Sequence, residues 1–194
     1  MLKKSLLLIA FVLILDQLLK VLIKTNMMIG QEIHFFDWFI IHFTENKGMA
    51  FGLEFGGKLG KYLLSIFRIL AIVVISVFWL KLINNQVKKG IIYSISLILA
   101  GAIGNMIDSA FYGMIFSESY GQIATVFKQG YSSFLQGKVV DMFYFPLING
   151  HFPNWFPFVG GNHFIFFRPI FNIADAAIST GVINILIFHR SFFK

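Results

Sequence analysis

Asp175 is the only formal charge in an apolar run from Pro169 to Phe188. A run of that length can cross the ~30 Å hydrocarbon core of a bilayer, and a carboxylate inside it costs about 2.5–3.5 kcal/mol on insertion scales. On a helix, Asn172, Asp175 and Ser179 are spaced at i, i+3 and i+7 and therefore line one face. Such a stripe is typical either of a functional site or of a structural contact between helices.

A second aspartate, Asp141, stands in the long segment before this run. Two aspartates held close together cannot both ionise, so one pKa rises and the pair shares a proton. The ionised member can take a proton from water while the protonated member donates to a carbonyl oxygen. That is peptide hydrolysis without a covalent intermediate. Because such a pair titrates as a unit, the pattern assigns neither role to Asp141 or Asp175.

Other chemistries leave other signatures. The chain has no cysteine, which excludes disulfides, thiol nucleophiles and cysteine metal sites. No H-E-x-x-H zinc motif, G-x-S-x-G elbow or P-loop occurs. Asp108, Asp141 and Asp175 could instead hold Mg²⁺ against a lipid phosphate. Residue chemistry therefore leaves three interpretations open: an aspartic hydrolase that needs no metal or cofactor, a metal-dependent lipid-phosphate enzyme, and a non-enzymatic transporter.

The composition is that of a membrane protein. Hydrophobic residues make up 57% of the 194-residue chain and charged residues 13%, whereas an average soluble domain is about 25% charged. The long apolar runs predict one membrane-embedded α-helical domain over residues 1–194. Its four transmembrane helices are expected at about residues 5–23, 62–80, 91–112 and 169–188.

Three of these spans carry further polar residues. Asp16 and Lys20 lie one helical turn apart in the first span and predict an architectural ion pair, so replacing both with neutral residues is expected to recover folded protein. Arg68, in the second span, needs a carboxylate or carbonyl partner or must snorkel. The third span has a small-residue packing edge, Ser96, Ala100 and Gly104, and a polar edge, Gly101, Asn105 and Asp108.

Two long connections join the spans. Residues 33–56 predict a small β element outside the membrane, with a strand in 34–44, a Gly-bearing turn in 46–52 and a returning strand in 53–55. Trp38 would rest in the membrane interface. Residues 113–168 form a connection longer than a plain linker needs, which is typical of a lid or binding surface.

The net charge of +7 follows the membrane topology and gives no indication of a nucleic-acid partner. Basic residues without any Asp or Glu lie on one side of the predicted spans: Lys3, Lys4, Lys81, Lys88, Lys89, Arg190 and Lys194. The positive-inside rule therefore predicts cytoplasmic termini and outward-facing long loops. Asp141 and Asp175 are then expected near the outer membrane boundary.

Five segments in series resemble the motifs of the lipoprotein signal peptidases (signal peptidase II), intramembrane aspartic proteases with four spans. They are Asp16-Gln-Leu-Leu-Lys20, Asn46-Lys-Gly-Met-Ala-Phe-Gly52, Gly101-Ala-Ile-Gly-Asn-Met-Ile-Asp108, Gly137-Lys-Val-Val-Asp141 and Phe171-Asn-Ile-Ala-Asp175. Each segment is weak alone, but five in the family's order across most of the chain are specific.

The resemblance implies that Asp141 and Asp175 are the catalytic pair. Residues expected to support the site or bind substrate are Asp16, Lys20, Asn46, Gly48, Asn105, Asp108 and Asn172. In that family the substrate is a bacterial prolipoprotein with diacylglyceryl on a cysteine, and the enzyme cuts just before that cysteine. The resemblance further implies the bacterial cytoplasmic (inner) membrane as location, membrane lipids as partners, no metal, and an outer β element that cradles the substrate.

Two features depart from the family. Signal peptidases II usually follow their Asn-x-x-Asp with arginine, whereas this chain has Ser109. Arg68 or Arg168 could take the place of that arginine. The segments 113–136 and 146–168 are also longer than is typical, so the motifs around Asp141 and Asp175 are intact but widely spaced.

Overall fold

The computed structural model describes residues 1–48 and 57–190. Its main helices are α1 (Leu2–Asn26), α2 (Gly57–Asn84), α3 (Lys89–Ile107) and α5 (Ile173–Phe188), and α3 continues through a π-helical segment (Asp108–Tyr112) into α4 (Gly113–Ile115). Within that part of the chain, α1, α2 and the continuous helix Lys89–Ile115 are long and apolar enough to cross a membrane. The 16-residue α5 is a shorter apolar helix of ~24 Å.

The helix α3 is the centre of the bundle, with α5, α1 and α2 packed around it. The outer helices direct apolar side chains outwards, as Leu7, Phe11 and Phe67 do. Their inward faces are partly polar: α1 buries Asp16, Lys20 and Lys24, and α2 buries Lys61 and Ser65. This inverted pattern is that of helices whose apolar sides face lipid. It agrees with the predicted class, a polytopic membrane protein.

Charged residues form a layer between two apolar clusters. Along α1, Ile9 and Val12 belong to one cluster and Ile23 and Met27 to the other, with Asp16 and Lys20 between them. The helix α3 and its π-helical extension repeat the order. The first cluster there holds Ile92, Ile95 and Leu99, the polar layer Asn105 and Asp108, and the second cluster Tyr112. The polar layer is therefore closed off from both ends of the bundle.

A four-stranded antiparallel sheet covers one end of the bundle. Its strand order is β1 (Glu32–Phe36), β2 (Phe39–Asn46), β3 (Val139–Tyr144), β6 (Ile170–Phe171). A separate hairpin pairs β4 (Ile148–His151) with β5 (His163–Phe166). The sheet thus joins strands from both long connections and places β3 between β2 and the start of α5.

The predicted β element needs two corrections. The expected strand over 34–44 is a hairpin, because the chain turns at Asp37 and Trp38 between β1 and β2. The sheet is completed by β3 and β6 from the second connection, so the element does not belong to the first connection alone. The expected return strand in 53–55, and the turn beyond Gly48, lie outside the described residues.

The fourth apolar helix starts at Ile173, whereas the sequence predicts a span from Pro169. Ile170 and Phe171 instead pair with Tyr144 and Phe143 of β3. The extended backbone of Asn172 then caps the helix. Asn172 therefore immediately precedes the first residue of α5. It does not share a continuous helical face with Ser179.

The segment from Phe116 to Lys138 is fastened by a second group of charges. Lys24 pairs with Glu45 and donates to Ser119 Oγ at 2.9 Å. Lys138 pairs with Glu45 at 3.0 Å and with Glu118 at 2.7 Å. Since Lys24 and Glu45 are almost fully buried, this cluster fixes the first long insertion against α1 and β2.

Candidate active site

The N-terminus of α5 fixes Asp175 and Asn172 to each other. Asn172 Oδ1 accepts the backbone N–H of Asp175 at 2.9 Å, and Asp175 Oδ2 accepts the N–H of Asn172 at 3.3 Å. This reciprocal capping box satisfies two backbone donors that a helix end would otherwise leave open. It also holds the Asp175 carboxylate at the N-terminus of the helix, the positive end of the helix dipole.

The side chain of Asn172 connects the two candidate catalytic aspartates. Asp141 lies in β3 opposite Thr44 of β2 and is only 4% exposed. Asn172 Nδ2 donates to Asp141 Oδ1 at 2.7 Å. Burial, and then the negative charge of Asp175, raise the pKa of Asp141 from its usual value to about 7. At neutral pH, Asp141 can therefore hold a proton beside its partner.

Asn105 joins this pair to the rest of the polar layer. Its Nδ2 donates to Asp175 Oδ1 at 2.7 Å. Its Oδ1 accepts from Lys20 Nζ at 2.9 Å and from Asn172 Nδ2 at 3.2 Å. The amide orientation is consistent with all three bonds, so Asn105 holds Asp175 from the α3 side.

The predicted Asp16–Lys20 ion pair is present, at 2.8 Å, but Lys20 is equally close to a second carboxylate. Lys20 Nζ lies 2.8 Å from Asp108 Oδ2, and all three side chains are buried. Asp16 Oδ1 also accepts the backbone N–H of Ala174 at 2.9 Å. The predicted pair is therefore part of a larger network: Lys20 joins α1 to α3, and Asp16 caps α5.

Gln17 is a member of the site that the sequence did not single out. Its Nε2 donates to Asp108 Oδ1 at 2.9 Å and to the Gly104 carbonyl at 3.3 Å, and its Oε1 accepts from Tyr112 at 3.1 Å. The available signal was its position three residues before Lys20, which puts both side chains on one helical face.

Asn46 and Gly48 meet Arg68 of α2. Asn46 Oδ1 accepts the N–H of Gly48 at 2.7 Å, and the Gly48 carbonyl accepts from Arg68 Nη2 at 2.9 Å. Gly48 has a φ of +94°, and an added Cβ would stand 2.7 Å from Arg68 Nη1. The backbone conformation therefore favours glycine at this position, and a side chain here would displace the Arg68 guanidinium.

Ser109, where the family usually has arginine, is contacted by two cations from α2. Arg68 Nη1 and Lys61 Nζ both donate to Ser109 Oγ, at 3.1 and 3.3 Å. Of the two arginines that could replace the family's, Arg68 reaches this position, while Arg168 is exposed beside the β4–β5 hairpin. A guanidinium thus reaches Ser109 from a different helix.

The alternative of a magnesium site on three aspartates receives no geometric support. Asp108 accepts from Lys20, Gln17 and the Val140 N–H, so both of its oxygens are occupied by protein donors. Among the described residues, no group of three or more His, Asp or Glu side chains is placed to hold a metal ion.

Comparison with known proteins gives a consistent assignment. The signal peptidase (SPase) II family model matches residues 8–192. A lipoprotein signal peptidase of Porphyromonas gingivalis is 50% identical over 183 residues, which is 93% of this chain and 80% of that protein. One of Amoebophilus asiaticus is 38% identical over 183 residues, 92% of this chain and 74% of that protein.

A bacterial membrane enzyme solved by the in meso method has a similar fold. It is 26% identical, with a TM-score of 0.58 over 95% of this chain and 86% of that chain. Together with the apolar helices, these similarities identify the protein as a membrane-embedded bacterial protease of the inner membrane. It belongs to the signal peptidase II family.

Proposed function

We propose that this protease removes the signal peptide of diacylglyceryl-modified prolipoproteins, cutting just before the lipidated cysteine, and that Asp141 and Asp175 activate the water. The substrate class comes from the named relatives. The observation that carries the mechanism is that one residue, Asn172, binds both carboxylates: its side-chain Nδ2 donates to Asp141 Oδ1 and its backbone N–H donates to Asp175 Oδ2.

The two aspartates differ in their hydrogen bonds. Both oxygens of Asp175 accept donors, one from Asn105 and one from the Asn172 backbone. Among the described residues, Asp141 accepts through Oδ1 alone. A proton on Asp175 would displace one of its donors, whereas Asp141 Oδ2 can carry one freely. We therefore assign the shared proton to Asp141 and the water-activating charge to Asp175, for the resting pair.

The reaction then proceeds by general acid–base catalysis. The Asp175 carboxylate takes a proton from water as the oxygen attacks the scissile carbonyl, and Asp141 donates its proton to the carbonyl oxygen. Collapse of the tetrahedral intermediate breaks the C–N bond. The proton gained by Asp175 passes to the leaving amine, and one hydroxyl of the intermediate returns a proton to Asp141 as the C=O bond forms again. The partial exposure of Asp175 supports access for water and substrate.

A row of aromatic rings is a suitable surface for the lipidated substrate. Trp38 stacks on Phe145 at 6.2 Å, and Phe145 on Phe171 at 5.7 Å. Phe171 immediately precedes Asn172, so the row runs from the tip of the β1–β2 hairpin to the edge of the site. Trp38 is half exposed, and tryptophan favours the membrane interface. In this proposal the sheet rests on the outer surface of the inner membrane and receives the acyl chains of the substrate.

The test is cleavage of a lipidated precursor peptide by Asp141→Asn, Asp175→Asn, the double variant and Asp108→Asn, in excess chelator. Each dyad single should lose several orders of magnitude in rate, nearly as much as the double, because members of a catalytic unit are not additive. Asp108→Asn should keep measurable turnover. Near-normal turnover by either dyad variant would remove that residue from the mechanism. Activity that disappears with EDTA and returns with Mg²⁺ would favour a metal-dependent enzyme.

A further inference from the structure

Two cations of α2 reach into the polar layer beside the aspartates. Lys61 is almost fully buried, and Arg68 is partly buried. Both donate to the same hydroxyl, Ser109 Oγ, which in turn donates to the Asn105 carbonyl at 3.1 Å. Ser109 and Asn105 lie one helical turn apart, and the Asn105 side chain binds Asp175. Arg68 is therefore connected through Ser109, by two hydrogen bonds, to the residue that holds Asp175.

The hydrogen bonds of Arg68 go to neutral oxygens. Its Nη1 donates to Ser109 and its Nη2 to the Gly48 carbonyl. Among the described residues, no carboxylate lies within ion-pair distance of the guanidinium. The carboxylates that act on it through space are, in order, Asp175, Asp108 and Asp141. Within the described residues, Arg68 is thus a partly buried cation with neutral hydrogen-bond partners and three nearby carboxylates, and it acts on the site through its electric field and not through a local ion pair.

The charges of this layer balance only in one protonation state. In the described chain, the network contains four carboxylates and three cations: Asp16, Asp108, Asp141, Asp175, Lys20, Lys61 and Arg68. Tyr112, the remaining titratable group there, is a neutral donor to Gln17. With one proton on the carboxylates the layer is neutral, and a buried net charge is costly. One shared proton is what the proposed hydrolysis requires.

We propose that Arg68 is a positioning residue whose charge keeps the Asp141–Asp175 pair at one shared proton near neutral pH. This inference rests on the proposed dyad mechanism. Lys20 pairs with Asp16 and Asp108 and also acts on Asp141, and the carboxylate that acts on Lys61 is Asp108. Among the carboxylates that act on Arg68, Asp175 acts most strongly. Without it the four carboxylates face two cations, and neutrality requires two protons.

The direction in which loss of Arg68 should shift the pH–rate profile follows from this count of charges. Loss of a nearby positive charge stabilises the protonated forms of both aspartates. The pair then keeps its second proton to higher pH, and the carboxylate that activates water appears later in a titration. The acid limb of the pH–rate profile should therefore move towards higher pH, and the alkaline limb should move in the same direction.

The experiment compares pH profiles of kcat/KM for the whole enzyme in lipid, with a lipidated precursor peptide. Arg68→Gln should raise the acid limb by about one pH unit. Arg68→Lys keeps the charge and should leave the limb within a few tenths of a unit of wild type. Lys61→Gln should shift the acid limb less than Arg68→Gln does. An unchanged acid limb in folded Arg68→Gln would overturn the proposal.

Two further variants separate charge from structure. Ser109→Ala removes the common acceptor of Arg68 and Lys61 but no charge, so its acid limb should remain in place. A shift as large as that of Arg68→Gln would assign Arg68 a purely structural role. The exchange Arg68→Ser with Ser109→Arg returns a guanidinium to the site from α3, and the limb should return towards wild type.

A spectroscopic titration covers the case in which Arg68→Gln folds but is inactive. Carboxyl carbons of ¹³C-labelled aspartate report the protonation of the pair directly, with Asp141→Asn for assignment. The midpoint should move up in Arg68→Gln, and an unmoved midpoint would overturn the proposal. Failure of the dyad itself is a different result: turnover would then survive in Asp141→Asn or Asp175→Asn, whatever Arg68 does.

Discussion

Asn172 performs two structural tasks with opposite ends of one amide. Its Oδ1 caps α5, and its Nδ2 donates to Asp141. The same nitrogen also lies within 3.2 Å of the Asn105 Oδ1 and of the Val140 carbonyl. Capping needs only an acceptor oxygen, whereas the bond to Asp141 needs a donor with the reach of an amide. The two tasks can therefore be separated by substitution.

We expect Asn172→Ser to remain nearly as stable as wild type but to lose about two orders of magnitude in kcat, since one misplaced group costs that much. Serine is an equally good N-cap, but its hydroxyl is too short to reach Asp141. Asn172→Ala should lose activity and also about 1 kcal/mol of stability. Thermal unfolding in detergent and single-turnover cleavage measure the two effects. Equal unfolding losses for serine and alanine would contradict the separation.

A second prediction concerns Lys20 and the two carboxylates that it binds. Lys20→Met leaves Asp16 and Asp108 buried without a counter-ion and should destabilise the protein by about 3–5 kcal/mol. Adding Asp16→Asn should give only partial recovery, because Asp108 stays charged. The triple variant with Asp108→Asn should recover most of the loss. If the double variant were as stable as the triple in thermal unfolding, Lys20 would not be needed by Asp108.

Among the elements, α3 and α5 approach each other through glycine. A Cβ on Gly101 would overlap the carbonyl of Ala174, and one on Gly181 would stand 2.5 Å from the Ser94 carbonyl. Backbone atoms cannot move aside as side chains can, so these glycines set the distance between the two helices. Because Ala174 adjoins Asp175, that distance also sets where Asp175 stands relative to Asn105.

Gly101→Ala should therefore reduce both stability and turnover. Overpacking of this kind costs about 1–3 kcal/mol, and displacement of α5 should weaken the Asn105–Asp175 bond. The matched control is Gly150→Ala in β4, where the new Cβ would meet only Phe164, at an ordinary 3.7 Å. Unfolding and cleavage assays on both variants test the idea. It fails if Gly101→Ala behaves like Gly150→Ala.

The sequence predicts local features better than contacts between distant elements. The i, i+4 pair of Asp16 and Lys20 follows from helical geometry alone, but the role of Asp108 depends on how α1 and α3 are aligned, 85 residues and more apart along the chain. The β1–β2 turn lacks the glycine, proline or asparagine that usually marks one. There Phe36 and Trp38 stack instead, at 5.4 Å. Arg68 and Ser109 lie on different helices, and no periodicity in the sequence indicates that these helices bring the two residues into contact.

On the scale of the whole molecule, one group of basic residues lies at the end away from the sheet. Lys3, Lys4 and Lys89 line one cavity. A Cβ on Gly90, at the start of α3, would meet His189, at the end of α5. The N-terminus, the α2–α3 loop and the end of α5 thus share one end of the bundle. The sheet, Asp141 and the N-terminus of α5 lie towards the other.

Reporter fusions test how this molecule lies in the membrane. The positive-inside rule places the basic end in the cytoplasm. A fusion at Asn84 should therefore be active as a cytoplasmic reporter, and one at Gln129 as an outer-face reporter. Alkaline phosphatase and a fluorescent protein at each position give opposite readings, and the same side for both would contradict the proposed orientation.

The bond between Asp16 and the N–H of Ala174 spans 158 residues. During synthesis α1 enters the bilayer with its buried charges long before α3 supplies Asp108, and α5 follows later still. Until α5 docks, Asp16 has no helix to cap, Asn105 has no Asp175 to hold, and Asp141 has no partner. We expect a partly synthesised chain to be unable to cut peptide bonds. On this expectation, the order of translation protects other membrane proteins from cleavage by an incompletely synthesised protease.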